Sequence, residues 1–237
     1  MPTIEPSACR PGDVVLFYGL NLVSVGLGAA RVAKAVTVLP AVVSAVQGGS
    51  TAFVGSATAN HAGVVCGRGP GYDLAHATSH LGVTHQDLYG LCMANRGTLQ
   101  VFRMSATPLI AAAAAAVART WATTDKKDVG MSFATGKAGA CAFRSSAFGP
   151  GARARAQLYR AEKGRAGGPQ DWKNLDRETH KAMFCSMFVI ACYQAVMDDA
   201  LTEQNLALDA KTTSPMYLDG YLQNSPLWHT VGALGIS

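Results

Sequence analysis

The first 104 residues contain four short apolar segments that are separated by glycine- and proline-containing turns, and this alternation restricts the choice of fold. The segments are rich in β-branched and aromatic residues, which favour strands. We predict strands over 13–18, over a segment that begins at His61, over 71–78 and over 97–104. The turn sequence "GRGPG" predicts that the second and third strands pair as an antiparallel hairpin.

The predicted helices lie mainly in the second half of the chain. "TPLIAAAAAAVARTWATT" predicts a helix over 107–124, because threonine can cap it, proline suits its first turn and alanine has a high helix propensity. Apolar residues at helical spacing predict another helix over about 184–201, and a short one is expected over 216–222. We therefore predict an α+β fold with an antiparallel sheet packed on helices, as a single domain over 1–237.

We expect two insertions in this domain, of which the first covers about 20–59. Its apolar composition predicts helices, but Arg31, Lys34 and Pro40 interrupt the run and argue against a membrane-spanning helix. Contact with a lipid surface is the alternative. The N-terminus lacks the pattern of a signal peptide, so we expect a cytoplasmic protein or one that is secreted by a signal-peptide-independent route.

The second insertion, about 125–180, is basic. Between Lys137 and Arg177 nine basic side chains stand against three acidic ones, in a chain whose net charge is +5. Its glycine and proline content favours a solvated, mobile surface loop. The alternative is peripheral contact with an anionic surface. No nucleic-acid partner is expected, because no aromatic residues interleave the arginines and no zinc-finger spacing occurs.

Of the six cysteines, only Cys185 lies where a nucleophile would be favoured. In "HKAMFCSMFV" it begins a predicted buried helix, where the helix dipole and the free N–H groups stabilise a thiolate. Cys192 lies two turns further along the same helix and is expected in the core. The absence of any CxxC pair favours reduced thiols over a disulfide framework. The alternative for Cys185 is a small buried hydrophobic residue.

Two histidines are candidates for the base that a thiol nucleophile needs. His61 begins one predicted strand and His76 ends the next, so a tight hairpin would bring both rings to one end of the sheet. That arrangement suits a base and a second residue that fixes its tautomer. A metal site is an alternative, because His76 and His80 are four residues apart, but "HATSHLGVTH" does not favour the helix that this spacing requires. No GxSxG or P-loop motif occurs.

The ordered set "PGDVVLFYG", "NHAGVV", "LAHATSHLGV", "VFRM" and "FCSMFV" resembles the circularly permuted NlpC/P60 group of papain-like proteins, which includes YiiX-like and lecithin-retinol-acyltransferase-like members. In that group a G-D-apolar strand comes first, an H-x-G strand follows and the cysteine comes last. The resemblance covers about 90 of the 237 residues. It implies a papain-like NlpC/P60 fold with Cys185 as nucleophile, His61 as general base and His76 as the third, polar residue.

The resemblance also implies an activity, which is acyl transfer through a thioester acyl-enzyme. We expect a cysteine hydrolase that cleaves an amide bond in a peptide or cell-wall peptide, of the kind used by bacterial effectors. The alternatives are a lipid-directed deacylase or acyltransferase of the same fold, and a non-catalytic binding module with Cys185 in its core. The expected partner is a peptide, cell-wall or lipid acyl substrate, and neither a cofactor nor a metal is expected.

Overall fold

The computed structural model describes residues 1–19, 59–67, 72–78, 82–95, 97–105, 107–122, 132–133, 147–165 and 181–235. The expected helical insertion over 20–59 lies outside the described residues, apart from residue 59. Most of the "GRGPG" turn lies outside them as well.

A seven-stranded sheet with the order β1-β9-β6-β2-β3-β4-β5 forms the centre of the fold. Neighbouring strands pair antiparallel except β1 and β9, which are parallel, so the sheet is mixed rather than purely antiparallel. A separate two-stranded parallel sheet joins β7 and β8. The strands are β1 Thr3–Ile4, β2 Val14–Tyr18, β3 Ala59–Val65, β4 Asp73–Thr78, β5 Gly82–Asp87, β6 Thr98–Met104, β7 Ser132–Phe133, β8 Lys181–Met183 and β9 Trp228–Leu234.

Six α-helices belong to the described part of the chain, and most of them cover one face of the sheet. They are α1 Leu88–Ala94, α2 Pro108–Ala122, α3 Pro150–Ala161, α4 Cys185–Gln194, α5 Asp199–Asn205 and α6 Pro215–Asn224. We call the face covered by α2, α4 and α6 the helix face, and the opposite one, which α1 covers, the α1 face. The combination of sheet and helices confirms the predicted α+β class.

Side-chain alternation along the strands divides the core between these two faces. On β2, Val14 and Leu16 belong to the large cluster of the helix face, whereas Val15 and Phe17 belong to the smaller cluster of the α1 face. Helix α4 is buried along its whole length, as expected for a helix that is apolar on every side. Burying side chains of the size of Phe or Ile contributes about 1.5–3 kcal/mol each, so α4 anchors the helical layer to the sheet.

The "GD" sequence before β2 has a structural role. Gly12 has a φ of +89°, and a Cβ atom there would lie 2.2 Å from the carbonyl oxygen of Ala111 in α2. Only glycine fits this position. The next residue, Asp13, is buried and accepts hydrogen bonds from Arg103 Nε at 2.8 Å and from the Arg103 guanidinium at 2.7 Å. These contacts fix the start of β2 against α2 and β6.

Four predicted strands are confirmed as β2, β3, β4 and β6, and the helix predicted over 107–124 is α2. The short helix expected over 216–222 is α6. The helix predicted over 184–201 begins at Cys185 but ends at Gln194, and a separate helix, α5, follows after Asp198. The Asp198 side chain caps α5 by accepting from the Leu201 N–H, at 2.8 Å, and a new cap of this kind starts a new helix.

The prediction of a mobile basic loop over about 125–180 is wrong for 150–161, which form α3. Three arginines of α3 bind carboxylates elsewhere in the chain: Arg153 pairs with Glu203, Arg155 with Asp209 and Arg160 with Asp199. The helix is therefore docked on the fold, and part of its positive charge is neutralised there. The remainder of the expected insertion lies largely outside the described residues.

Candidate functional site

Cys185 is the first residue of α4, as predicted, and its side chain is 4 % exposed. The residue before it, Phe184, has an extended backbone and provides no side-chain cap. The next side chain, Ser186, donates to the carbonyl oxygen of Thr213 at 2.7 Å and is likewise not used as a cap. The N–H groups of this first turn carry the positive end of the helix dipole, and they favour negative charge on a thiol or an oxyanion.

Helix α4 packs on β3, and the position of its C-terminal end indicates the end of the sheet at which Cys185 lies. At the C-terminal end of α4, the Tyr193 hydroxyl donates to the carbonyl oxygen of Gly12. The N–H of Gly12 in turn donates to the carbonyl oxygen of Val65, the last residue of β3. A helix of ten residues is about 15 Å long, so its first residue lies towards the start of the seven-residue β3. Cys185 and His61 therefore lie at the same end of β3.

The hairpin of β3 and β4 brings the two predicted histidines into direct contact. His61 Nε2 lies 2.9 Å from His76 Nδ1, a hydrogen bond between two imidazoles. The bond uses one ring nitrogen of His61 and leaves Nδ1 for another partner. His61 also packs edge-on against Phe17, with ring centroids 4.9 Å apart. The prediction that the hairpin would place both rings together is confirmed.

Burial keeps both imidazoles neutral at physiological pH. His61 is 7 % and His76 is 2 % exposed. Burial lowers the pKa of His61 from 6.5 to about 4. Burial also lowers the pKa of His76 well below 6.5, and the neighbouring His61 adds to this effect. A neutral pair can accept a proton, but the lowered pKa makes each ring a weaker base than a free imidazole.

The histidine pair and Cys185 lie on opposite faces of β3. His61 lies opposite Phe17 in the pairing of β3 with β2, and His76 points to the same face of β4 as Leu74. Phe17 and Leu74 both belong to the cluster of the α1 face. Cys185 belongs to the cluster of the helix face. The structure thus brings His61 and His76 together, and it places Cys185 across β3 from them. The joint catalytic role of the three residues stays a prediction.

A polar network on the helix face, built on the buried Tyr18 and Asp219, was not predicted from the sequence. At the end of β2 the Tyr18 hydroxyl donates to Asp219 Oδ1 at 2.6 Å, and Gln223 Nε2 donates to the same oxygen at 2.6 Å. Tyr18 pairs with Ala59 at the start of β3, so the network lies on the face and at the end of the sheet where Cys185 lies. Burial, together with Asp219, raises the pKa of the Tyr18 hydroxyl. The two residues are 201 positions apart, and no local sequence signal joins them.

The other cysteines are poorer candidates for nucleophiles. Burial is the main cause that raises the pKa of Cys9 and of Cys66 to about 12, that of Cys92 to about 11, and that of Cys192 well above 9.0. Cys192 is fully buried, in agreement with its predicted place in the core. None of the five cysteines in the described ranges forms a disulfide bond.

The described residues include no group of three or more His, Cys, Asp or Glu side chains that could hold a metal ion. His76 and His85 lie on strands rather than on a helix, and His80 lies outside the described residues. In addition, no helix among the described residues is long and apolar enough to cross a membrane.

Two sequence comparisons with known proteins find no match. No protein-family model matches the chain. A search of curated proteins finds none that matches it either. The interpretation of the site therefore depends on the chain's own geometry and chemistry.

Proposed function

We propose that this chain is a cysteine hydrolase with a circularly permuted, papain-like NlpC/P60 fold, and that it cleaves an amide bond in a peptide. One observation carries the proposal. A cysteine begins a buried helix that is packed on the sheet, at the end of β3 where two neutral histidines are hydrogen-bonded to each other. The order of the motifs along the chain, with the histidines before the cysteine, supports the same assignment.

The proposed reaction is nucleophilic acyl transfer. The Cys185 proton passes to Nδ1 of His61, whose Nε2 is held by His76, and the thiolate attacks the amide carbon. The N–H groups of the first turn of α4 stabilise the oxyanion. The amine leaves with the proton from His61, and water then hydrolyses the thioester and regenerates the thiol.

Proton transfer must pass between the two faces of β3 at its first residues. Because catalytic hydrogen bonds often form only when substrate is bound, the proposed step uses a bridging water or a rearrangement at the start of β3. The proposal can be tested on this point, because such a proton transfer requires that the protonation of His61 and the reactivity of Cys185 are coupled.

The first experiment measures thiol reactivity. Iodoacetamide at about pH 6, with peptide mapping by mass spectrometry, should label Cys185 faster than the other cysteines. The background should be low, because the pKa values of Cys9 and Cys66 are raised to about 12 and that of Cys92 to about 11. His61→Ala should slow the labelling of Cys185 at this pH, because it removes the base that takes up the thiol proton.

The second experiment measures turnover of a soluble cell-wall peptide, with phospholipid vesicles as a separate substrate. Cys185→Ala should abolish hydrolysis, and the matched control Cys192→Ala, in the same buried helix, should retain it. His61→Ala should lower the rate by about 10²–10⁴, and His76→Ala should lower it less, because water can partly replace an orienting group. A larger loss in the His76 variant would reverse the roles of base and orienting residue. Turnover of vesicles alone would indicate a lipid-directed enzyme.

A non-catalytic binding module is the second candidate function, and a specific observation favours it. Cys185 is packed in the cluster of the helix face, while both imidazoles face the other way. In such a module Cys185 is a core residue. Labelling of Cys185 no faster than that of Cys192, with no thioester trapped on it by any substrate, would reject the hydrolase in favour of this module.

A further inference from the structure

The ring nitrogen of His76 that does not face His61 is one of several buried polar atoms without a hydrogen-bond partner in the described part of the chain. His76 Nε2 is buried and has no hydrogen-bond partner among the described residues. A neutral imidazole has one N–H donor and one acceptor nitrogen, so this atom either carries the proton or presents a lone pair. Buried polar atoms without partners are rare in folded proteins, and each one requires an explanation.

Gln86 is a long polar side chain on the same face of the sheet as His76. In the pairing of β4 with β5, His76 lies opposite Thr84 and Leu74 lies opposite Gln86. Gln86 is thus the diagonal neighbour of His76 on the α1 face, at a separation that a long side chain spans. Gln86 opposes the lowering of the His76 pKa by burial, as an acceptor of the His76 N–H would, although its side chain makes no hydrogen bond to Nε2 in this structure.

The direction of this contact determines the protons of the whole pair. When the Gln86 carbonyl oxygen accepts from His76 Nε2–H, Nδ1 of His76 has a lone pair and accepts from His61 Nε2–H. His61 Nδ1 then has a lone pair and is basic. When the Gln86 amide group donates instead, the direction of both hydrogen bonds, Gln86 to His76 and His76 to His61, is reversed. His61 then carries its proton at Nδ1.

We propose that Gln86 is a positioning residue, which accepts a hydrogen bond from His76 Nε2–H and thereby holds both histidines in the tautomer that is protonated at Nε2. The geometry of the sheet places Gln86 beside the unpartnered Nε2 of His76, and the raising effect of Gln86 on the His76 pKa favours acceptance over donation. The catalytic meaning of the tautomer rests on the proposed function, because only a base that acts through His61 Nδ1 needs this tautomer.

Nitrogen-15 NMR of the full chain, labelled at histidine, tests the tautomer without any substrate. At pH 7.5 both His61 and His76 should show Nε2–H and a lone pair at Nδ1. Gln86→Leu should convert this state into a mixture of tautomers, and the ring-nitrogen shifts of both histidines should move together. Gln86→Glu, whose carboxylate accepts the same hydrogen bond, should restore the wild-type tautomer and also raise the pKa of His76.

Thr84→Val is the matched control, because Thr84 lies directly opposite His76 and the change keeps its shape. It should leave the tautomers as they are. A proton at Nδ1 of His61 in the wild-type chain, or unchanged shifts in Gln86→Leu, would overturn the assignment. If the proposed function is wrong, the results differ. Cys185→Ala would not affect turnover, while the tautomers of both histidines would still change in Gln86→Leu.

Discussion

At the scale of single residues, the histidine pair is the part of the site that the structure defines best. Two buried imidazoles in contact cannot both be charged, because each positive charge lowers the pKa of the other and neither is well hydrated. The contact between His61 Nε2 and His76 Nδ1 satisfies one nitrogen of each ring. It also means that the pair contributes to stability only while it is neutral.

The stability of the fold should therefore fall in mild acid. Because the folded-state pKa of His61 is about 4 and the unfolded value is 6.5, the unfolded chain binds more protons between these limits. The contribution is complete above pH 6.5 and is lost as the pH falls towards 4, by about 3 kcal/mol for His61 alone. Urea unfolding between pH 7.5 and 4.5 should show this loss, and the double variant His61→Gln/His76→Gln should show a smaller one. The same pH dependence in both proteins would contradict the prediction.

At the scale of elements, strands and helices with strong local signals were predictable, and those with weak signals were not. "PGDVVLFYG" and the alanine-rich sequence of α2 have clear turns, caps and composition. Strand β9 contains Gly232, which is required where a Cβ would lie 2.7 Å from the Pro2 carbonyl oxygen, and glycine weakens a strand pattern. The pairing partner that explains this glycine is more than 200 residues away in the sequence, so local reasoning could not find it.

Two helices were missed although the sequence contained a signal for each. Helix α1 begins after Asp87, whose side chain accepts from the Gly90 N–H at 2.7 Å, an N-cap that could have been recognised. Helix α3 has Pro150 in its first turn, and Ala152, Ala156 and Tyr159 form a buried stripe at helical spacing. The glycine, proline and arginine content of this segment favours a loop. The buried stripe is mostly alanine, which differs too little in hydrophobicity from the other face to indicate a helix.

The docking of α3 should depend on its most buried ion pair. Arg155 binds Asp209 at 2.6 Å, with the side chains 23 % and 12 % exposed, whereas Arg165 and Glu162 form a more exposed pair within one turn. Arg155→Gln leaves a largely buried carboxylate with a weaker partner and should lower the free energy of unfolding by about 1–3 kcal/mol. The control Arg165→Gln should change it by less than about 1 kcal/mol. Urea unfolding measures both, and equal effects would mean that α3 is not docked through Arg155.

At the scale of the whole molecule, the central sheet separates the candidate nucleophile from the candidate base. The helix face holds α4 and the Tyr18–Asp219 contact, and the α1 face holds the imidazole pair. The sequence predicted which residue types would gather at one end of β3. It did not predict their faces, because the face of each side chain depends on the register of the paired strands and on where the helix docks, and neither is encoded locally.

If the sheet and α4 form one cooperative unit, cysteines on the two sides of their interface should become accessible together. Cys66 follows β3 and Cys192 lies in α4, and both are buried in the helix-face cluster. Labelling by a fast thiol reagent in a urea series, mapped by mass spectrometry, should give both thiols the same opening free energy, equal to that of global unfolding. Cys92 on the short helix α1 is only partly buried and should open at a lower free energy. Earlier labelling of Cys192 than of Cys66 would show that α4 leaves the sheet on its own.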